Sequence, residues 1–213
     1  MLLEMDVTLT SGNASVLFGA RDASNVFMWS VNTLDNEKEP LIRRHIYDRG
    51  RLQSSDTPIG KFFTKSDLLN KEHHLAIEAK DGVVKTYIDK VLVDTYTDTD
   101  SKLSNGYIGF RAFRGNNTNE TAMFDNIVLT EYEQKSDKEE AKVVLKEDFE
   151  KPQSAFEGGE IVSVGGNRKL NMVSGSGDYR VLQVDMSGVP MFRKEFKAKK
   201  KICLLYTSPS PRD

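Results

Sequence analysis

"HHLAIEAKDGVVKTYIDKVLVDTYTD", His73 to Asp98, decides the fold. Its three runs, HHLAIEAK, VVKTYIDK and VLVDTYTD, are short and rich in β-branched and aromatic residues, and two polar dipeptides divide them. Such runs read as strands. Asp81-Gly82 can adopt the positive φ values of a tight hairpin, and Asp89-Lys90 sits where another turn is needed between two strands. Outward from this stretch the same grammar recurs. In "EMDVTLT", Met5, Val7 and Leu9 alternate with Asp6, Thr8 and Thr10, the period of a half-buried strand. "SVLFGAR", "NVFMWSVN", "GYIGFRAFR" and "TAMFDNIVLTEY" follow it, broken by Ser-Gly-Asn and Asn105-Gly106. No helical periodicity is sustained anywhere. Many strands at close spacing predict an all-β chain, an antiparallel β-sandwich rather than a parallel α/β sheet.

The chain has 213 residues, is 38% hydrophobic and carries a formal charge of -2, enough for one sizeable core or a core and part of another. Its 30 basic and 32 acidic residues are interspersed, so the electrostatic footprint of a nucleic-acid or charged-membrane partner is absent. No apolar run approaches the roughly 18 to 20 residues of a membrane helix. Met1-Leu2-Leu3-Glu4 lacks the basic start and apolar stretch of a signal peptide, which predicts either a cytoplasmic protein or one whose natural N-terminus lies further upstream. The single cysteine, Cys203, stands in "CLLYTSPSPRD", Cys203 to Asp213. That segment is identical, residue for residue, to a translation of a DNA string resembling a sequencing-library adapter. The expectation is a disordered artefact at 203–213 and a natural chain that continues beyond Ile202. The remainder then holds no cysteine for a disulfide, a thiol nucleophile or a metal site.

"EQKSDKEEAK", Glu133 to Lys142, contains one apolar side chain, an alanine, and predicts a charged linker. It separates a sandwich at 1–132 from a second β-domain at 143–202, where strand-and-turn grammar resumes and stops after about four strands, leaving unpaired edges.

Four residues are candidates for a site. Trp29 shares one face of "NVFMWSVN" with Phe27 and Val31, while Val26, Met28 and Ser30 take the other. Exposed, it would stack on a sugar ring; buried, it would anchor the core, and core packing is the preferred reading. Arg21 and Arg111 could form bidentate hydrogen bonds to vicinal hydroxyls, or serve as surface or ion-paired charges. Asp125 falls on the face of Met123, Ile127 and Leu129, which puts a carboxylate in apolar company and demands hydrogen bonds or a cation. A structural calcium shared with Glu4 or Asp6 would meet the demand, and so, by preference, would capping backbone amides. His73 and His74 are neighbours on a strand, so they point to opposite faces and cannot chelate one metal; His45 stands alone.

Catalytic patterns are missing. The Glu-x-Asp-x-x-Glu strand of sandwich-fold glucanases finds only "KEDFEK", Lys146 to Lys151, at the wrong spacing, and "GGNRKLNMVSGSG" follows neither the dinucleotide nor the Walker pattern. No catalytic residue is expected in this chain.

"TYIDKVLVD", "GYIGFR" and the closing "FDNI" resemble the concanavalin A-like, laminin G-type jelly-roll sandwich attached to many bacterial carbohydrate-active enzymes, over Met1 to Tyr132. Asp89-Lys90 stands where that family commonly has Asn-Gly. "VPMFRKEFKAKKKI", Val189 to Ile202, resembles the opening of the N-terminal β-domain of bacterial α-L-rhamnosidases. Together these imply the non-catalytic front of a glycoside hydrolase acting on rhamnose-bearing plant polysaccharide, with catalytic acids in a helical barrel further on. They imply a polysaccharide or oligosaccharide partner and export to the periplasm or cell surface. The alternatives are a stand-alone binding or adhesion protein and a sandwich-fold glucanase or lyase.

Overall fold

A computed structural model describes residues 1–22, 24–99, 106–115, 118–135, 138–151, 154, 156, 160–173 and 177–182. Asn105, the rhamnosidase-like stretch Val189 to Ile202 and the adapter-like Cys203 to Asp213 lie outside the described residues.

The strands are β1 (Leu2–Ser11), β2 (Asn13–Asp22), β3 (Asn25–Asn32), β4 (Leu41–Asp48), β5 (Arg51–Pro58), β6 (Glu72–Lys80), β7 (Val83–Ile88), β8 (Val91–Thr97), β9 (Tyr107–Gly115), β10 (Thr118–Asn119), β11 (Thr121–Lys135), β12 (Lys138–Glu147), β13 (Glu160–Val164), β14 (Asn167–Val173) and β15 (Gly177–Leu182). All pairs between them are antiparallel. Sheet A runs β13-β14-β11-β1-β6-β7-β8 with β12 also on β11; sheet B runs β10-β9-β2-β3-β4-β5 with β15 also on β9. The expected antiparallel β-sandwich is what forms.

Local chemistry explains the hairpins. Lys80 pairs with Val83 and Ile88 with Val91, so each loop has two residues. Asp81 and Gly82 stand at φ 50° and 73°, Asp89 and Lys90 at 49° and 69°, the left-handed pairs that match strand twist. Lysine at such a φ is strained, and the Asp89 carboxylate compensates locally by accepting the His74 backbone N–H at 2.9 Å and meeting His73 Nδ1 at 2.7 Å. The one helix, α1 (Lys65–Leu68), is a single turn fixed by a capping box between Thr64 and Asp67, with Leu68 buried; four residues are too few to show a period.

The core lies between the sheets. In β1 the buried side chains are Leu3, Met5, Val7 and Leu9, matching the predicted alternation. Across the gap, Phe110 of β9 stacks on Phe124 of β11 at 4.1 Å. These rings supply non-directional burial, on the order of 25 cal/mol per Å² of apolar surface.

Two expectations are corrected. Glu133 to Lys142 is not a linker between sheets: β11 and β12 run through most of it as one hairpin, with Glu133 opposite Glu140 and Lys135 opposite Lys138. Backbone hydrogen bonds to a paired neighbour can carry a ladder whatever its side chains, so a polar composition does not exclude strands. Nor do the strands after 143 begin a separate sheet. β12 and β14 pair with β11, β13 with β14, and β15 with β9, while Phe156 packs 5.3 Å from Phe110 in the common core. The described residues up to 182 extend the first sandwich.

Candidate functional site

The outer face of sheet B departs from the polar-out rule. On β2, Ser15 and Leu17 face away from the core, and the strand then irregularly shifts register between Leu17 and Ala20, with Gly19 at φ 56°. β9 starts tight against this shift. A Cβ on Gly106 would fall 2.5 Å from the Gly19 carbonyl carbon, so glycine is required for the approach that sets Tyr107 opposite Ala20. β3 contributes Val26, Met28 and Ser30, and β4 sets Tyr47 opposite Val26 and His45 opposite Met28.

The result is a second apolar cluster. Leu17, Ala20, Val26 and Met28 are each no more than 2% exposed, and half-buried Tyr47 and Tyr107 pack against them. Ser15 and Ser30 share a buried hydrogen bond of 2.7 Å between their hydroxyls. Beside them, half-buried Arg111 stands opposite Ser15 and brings Nη1 to 3.9 Å from the Met28 sulfur. A thioether-and-aliphatic floor is thus bordered by two phenols, an imidazole and a guanidinium. The floor is itself no more than 2% exposed, so what this face turns outward is its half-buried rim: phenol rings, which suit the C–H face of a sugar, and polar groups, which suit its hydroxyls.

The structure separates the residues expected to bind together. Trp29 is a core residue, 2% exposed, with its ring 4.9 Å from Phe18, 5.8 Å from Phe27 and 5.6 Å from Tyr96. It cannot stack on a sugar, because it belongs to the inner face of β3 while Arg111 belongs to the outer face of the same sheet. Arg21 is exposed near the end of β2. Of the predicted sugar ligands, Arg111 is the one on the amphiphilic face. Met28, His45, Tyr47 and Tyr107 were not predicted. The available signal was "NVFMWSVN", apolar on both faces, which means that both faces are covered.

Asp125 lies on the other sheet altogether. Its predicted face is corrected by a β-bulge: Asp6 pairs with Asp125 but Glu4 with Val128, so β11 carries one extra residue, and Asn126 takes φ 49°. The extra residue inverts the alternation. Ala122 and Phe124 point inward before it, Ile127 and Leu129 after it, and Asp125 stays with Met123 on the outer side. Its carboxylate is nonetheless buried. It accepts the Asn126 backbone N–H at 2.8 Å and sits 3.8 Å from Lys169 Nζ, which also binds Glu72. Burial pushes the Asp125 carboxyl above its ordinary value, against the pull of the Asn126 N–H and the Lys169 charge. Glu4 and Asp6, the expected calcium partners, turn to His74 instead: His74 Nδ1 is 3.0 Å from Asp6 and Nε2 is 3.5 Å from Glu4. The cation beside Asp125 is therefore an ammonium. Among the described residues no three His, Asp or Glu side chains form a metal-holding group. Burial lowers the His74 imidazole, but its hydrogen bonds to Asp6 and Glu4 and their charges outweigh it and hold the ring above its ordinary value. His73 points the other way, to Asp89 and the Asp67 carbonyl at 2.9 Å, as neighbours on a strand must.

No family model matches the chain, and no curated protein matches it. A solved structure of the carbohydrate-binding module CBM66 from Bacillus subtilis is similar at 27% identity with a TM-score of 0.34, over 46% of this chain and 58% of that one. The chain thus aligns with little more than half of that module, and at this TM-score the likeness fixes neither fold nor ligand here.

Proposed function

We propose that this chain is a non-catalytic carbohydrate-binding β-sandwich whose ligand rests on the outer face of sheet B. The observation that carries the reading is the half-buried rim of Tyr47, Tyr107, His45 and Arg111 held over the buried Leu17-Met28 cluster. A sugar ring presents an apolar C–H face and a rim of hydroxyls, and this face offers the complement of both. The resemblance of Val189 to Ile202 supports a parent enzyme of the α-L-rhamnosidase type, with the sandwich holding it on rhamnose-bearing polysaccharide. Hydrolysis there would use paired carboxylates supplied by a further domain. A periplasmic or extracellular location goes with such a substrate.

A glycan array that includes rhamnose-containing oligosaccharides tests the reading, with Arg111→Ala and Arg111→Lys as variants. Losing a charge-assisted hydrogen bond costs about 1.5–3 kcal/mol, so Arg111→Ala should weaken binding by at least about tenfold, read on protein shown to be folded because the side chain also packs against Met28. Arg111→Lys should also weaken it, because an ammonium cannot reproduce the planar fork. Silence on every glycan, or equal binding by wild type and Arg111→Ala, rejects the site.

A further inference from the structure

The sandwich is not closed by apolar side chains alone. Where β4 and β5 face β7 and β8, Arg44 enters the space between the sheets from a position opposite Trp29. Its Nη1 reaches to 3.6 Å from Asp94 Oδ1, and its guanidinium lies 5.4 Å over the Tyr96 ring. The Asp94 side chain is 1% exposed. The Thr57 hydroxyl donates to the same Oδ1 at 2.7 Å, binding the edge strand β5 of one sheet to the edge strand β8 of the other. Thr86 stands opposite Asp94 across β7 and β8, and Tyr96 meets Trp29 edge-on.

Both side-chain contacts to the Asp94 carboxylate use Oδ1. Among the described residues, Asp94 Oδ2, Arg44 Nε, Thr86 Oγ1 and Trp29 Nε1 are buried without a hydrogen-bond partner. Arg44 meets Asp94, Trp29 pairs with Arg44 and Thr86 with Asp94, so these four orphans fall on adjoining residues, far from the near-complete pairing of folded cores. They are also of both kinds. Arg44 Nε–H and Trp29 Nε1–H can only donate, Asp94 Oδ2 as a carboxylate can only accept, and the Thr86 hydroxyl does either. A cation would be opposed by Arg44 and an anion by Asp94. What answers both kinds is a small neutral group that donates and accepts. A water or a sugar hydroxyl has that chemistry, but each orphan atom exposes less than 1 Å², which no sugar ring can reach.

We propose that Asp94, Arg44, Thr86 and Trp29 hold a buried, ordered water between the two sheets, which donates to Asp94 Oδ2 and accepts from Arg44 Nε–H or Trp29 Nε1–H. The Arg44–Asp94 contact across the sandwich is then a water-bridged closure. This site lies on the inner side of sheet B and stands apart from the sugar-binding face, so the two readings fail independently.

Trp29 is the chain's only tryptophan, so its indole N–H gives a single resonance that needs no assignment. In ¹⁵N-edited water-selective NOESY and ROESY spectra of the full chain, that proton should show cross-relaxation with a long-lived water, with the sign that separates it from chemical exchange. A crystal structure should place an ordered water within hydrogen-bond distance of Asp94 Oδ2 and of Arg44 Nε or Trp29 Nε1. The inference is overturned if Asp94 Oδ2 meets a protein group or no water in the crystal. It is also overturned if saturating rhamnose-containing oligosaccharide abolishes the water cross-peak, because a ligand hydroxyl would then occupy the site.

Discussion

The outer faces of the two sheets rest on the same alternation and carry opposite chemistry. On sheet A, β1 and β6 present Glu4, Asp6 and His74, with side chains 24–42% exposed and paired with one another. On sheet B, β2 and β3 present Ser15, Leu17, Met28 and Ser30, none more than 2% exposed. One face is finished by water and ion pairs; the other is packed like a core. Half-buried Tyr47 and Tyr107 cover that packed cluster, and the proposed binding face is the rim they form over it.

The largest expected effect tests that contrast directly. Leu17→Ala should destabilise the protein by about 2–5 kcal/mol in chemical denaturation, as a core leucine does, because it leaves a cavity that its neighbours only partly fill. Thr8→Ala, on the outer face of sheet A, should stay within about 0.5 kcal/mol. Equal costs for the two would mean that the outer face of sheet B is not packed and the contrast is lost.

How far the sequence carries is visible in the same strands. β1 is legible because its alternation runs unbroken from Leu3 to Leu9, and the hairpins at Asp81-Gly82 and Asp89-Lys90 are legible because their turn chemistry is local. Asp125 was misplaced because a single inserted residue at Asn126 inverts every side chain beyond it, and a bulge leaves no mark in composition. Glu133 to Lys142 reads as a linker because composition alone does not distinguish a polar hairpin from one, whereas the pairing that makes it a hairpin is backbone only. Arg111 is a candidate by its chemistry alone, and the structure sets it on the outer face of sheet B. Tyr47, Tyr107 and His45 carry no such signal, because that face is assembled across β2, β3, β4 and β9, and pairing between distant strands is not written in any one of them.

A smaller effect should come from the other sheet at Lys169, whose charge compensates Asp125. Lys169→Met removes the ammonium beside a carboxylate whose side chain is 6% exposed. Denaturation at neutral pH should show a loss of about 1–3 kcal/mol, the cost of a buried group left without its partner. The pH dependence identifies the cause. Asp125 titrates above its ordinary value in the folded chain, so burying its charge costs stability at higher pH, and the cost is relieved as pH falls through the folded value. In Lys169→Met that cost grows, so the gap to wild type should be widest at neutral pH and narrow toward the ordinary aspartate value of 3.8. A gap independent of pH would assign Lys169 a packing role only.

The smallest expected effect sharpens the comparison most, because it separates the two faces by mechanism. His74 is held above its ordinary 6.5 in the folded chain. A raised imidazole contributes stability that is fully present below 6.5 and is lost as pH rises through the folded value. Melting temperatures of wild type and His74→Gln should therefore differ by a constant amount below pH 6.5 and converge above it. The ring is 42% exposed, so the difference should be modest. Salt then distinguishes the faces. At about 1 M the screening length falls to about 3 Å, which should shrink the His74 difference and leave the cost of Leu17→Ala in place. If salt diminishes both equally, the outer face of sheet B is held by charge rather than by burial, and the rim proposed to bind sugar does not rest on a packed cluster.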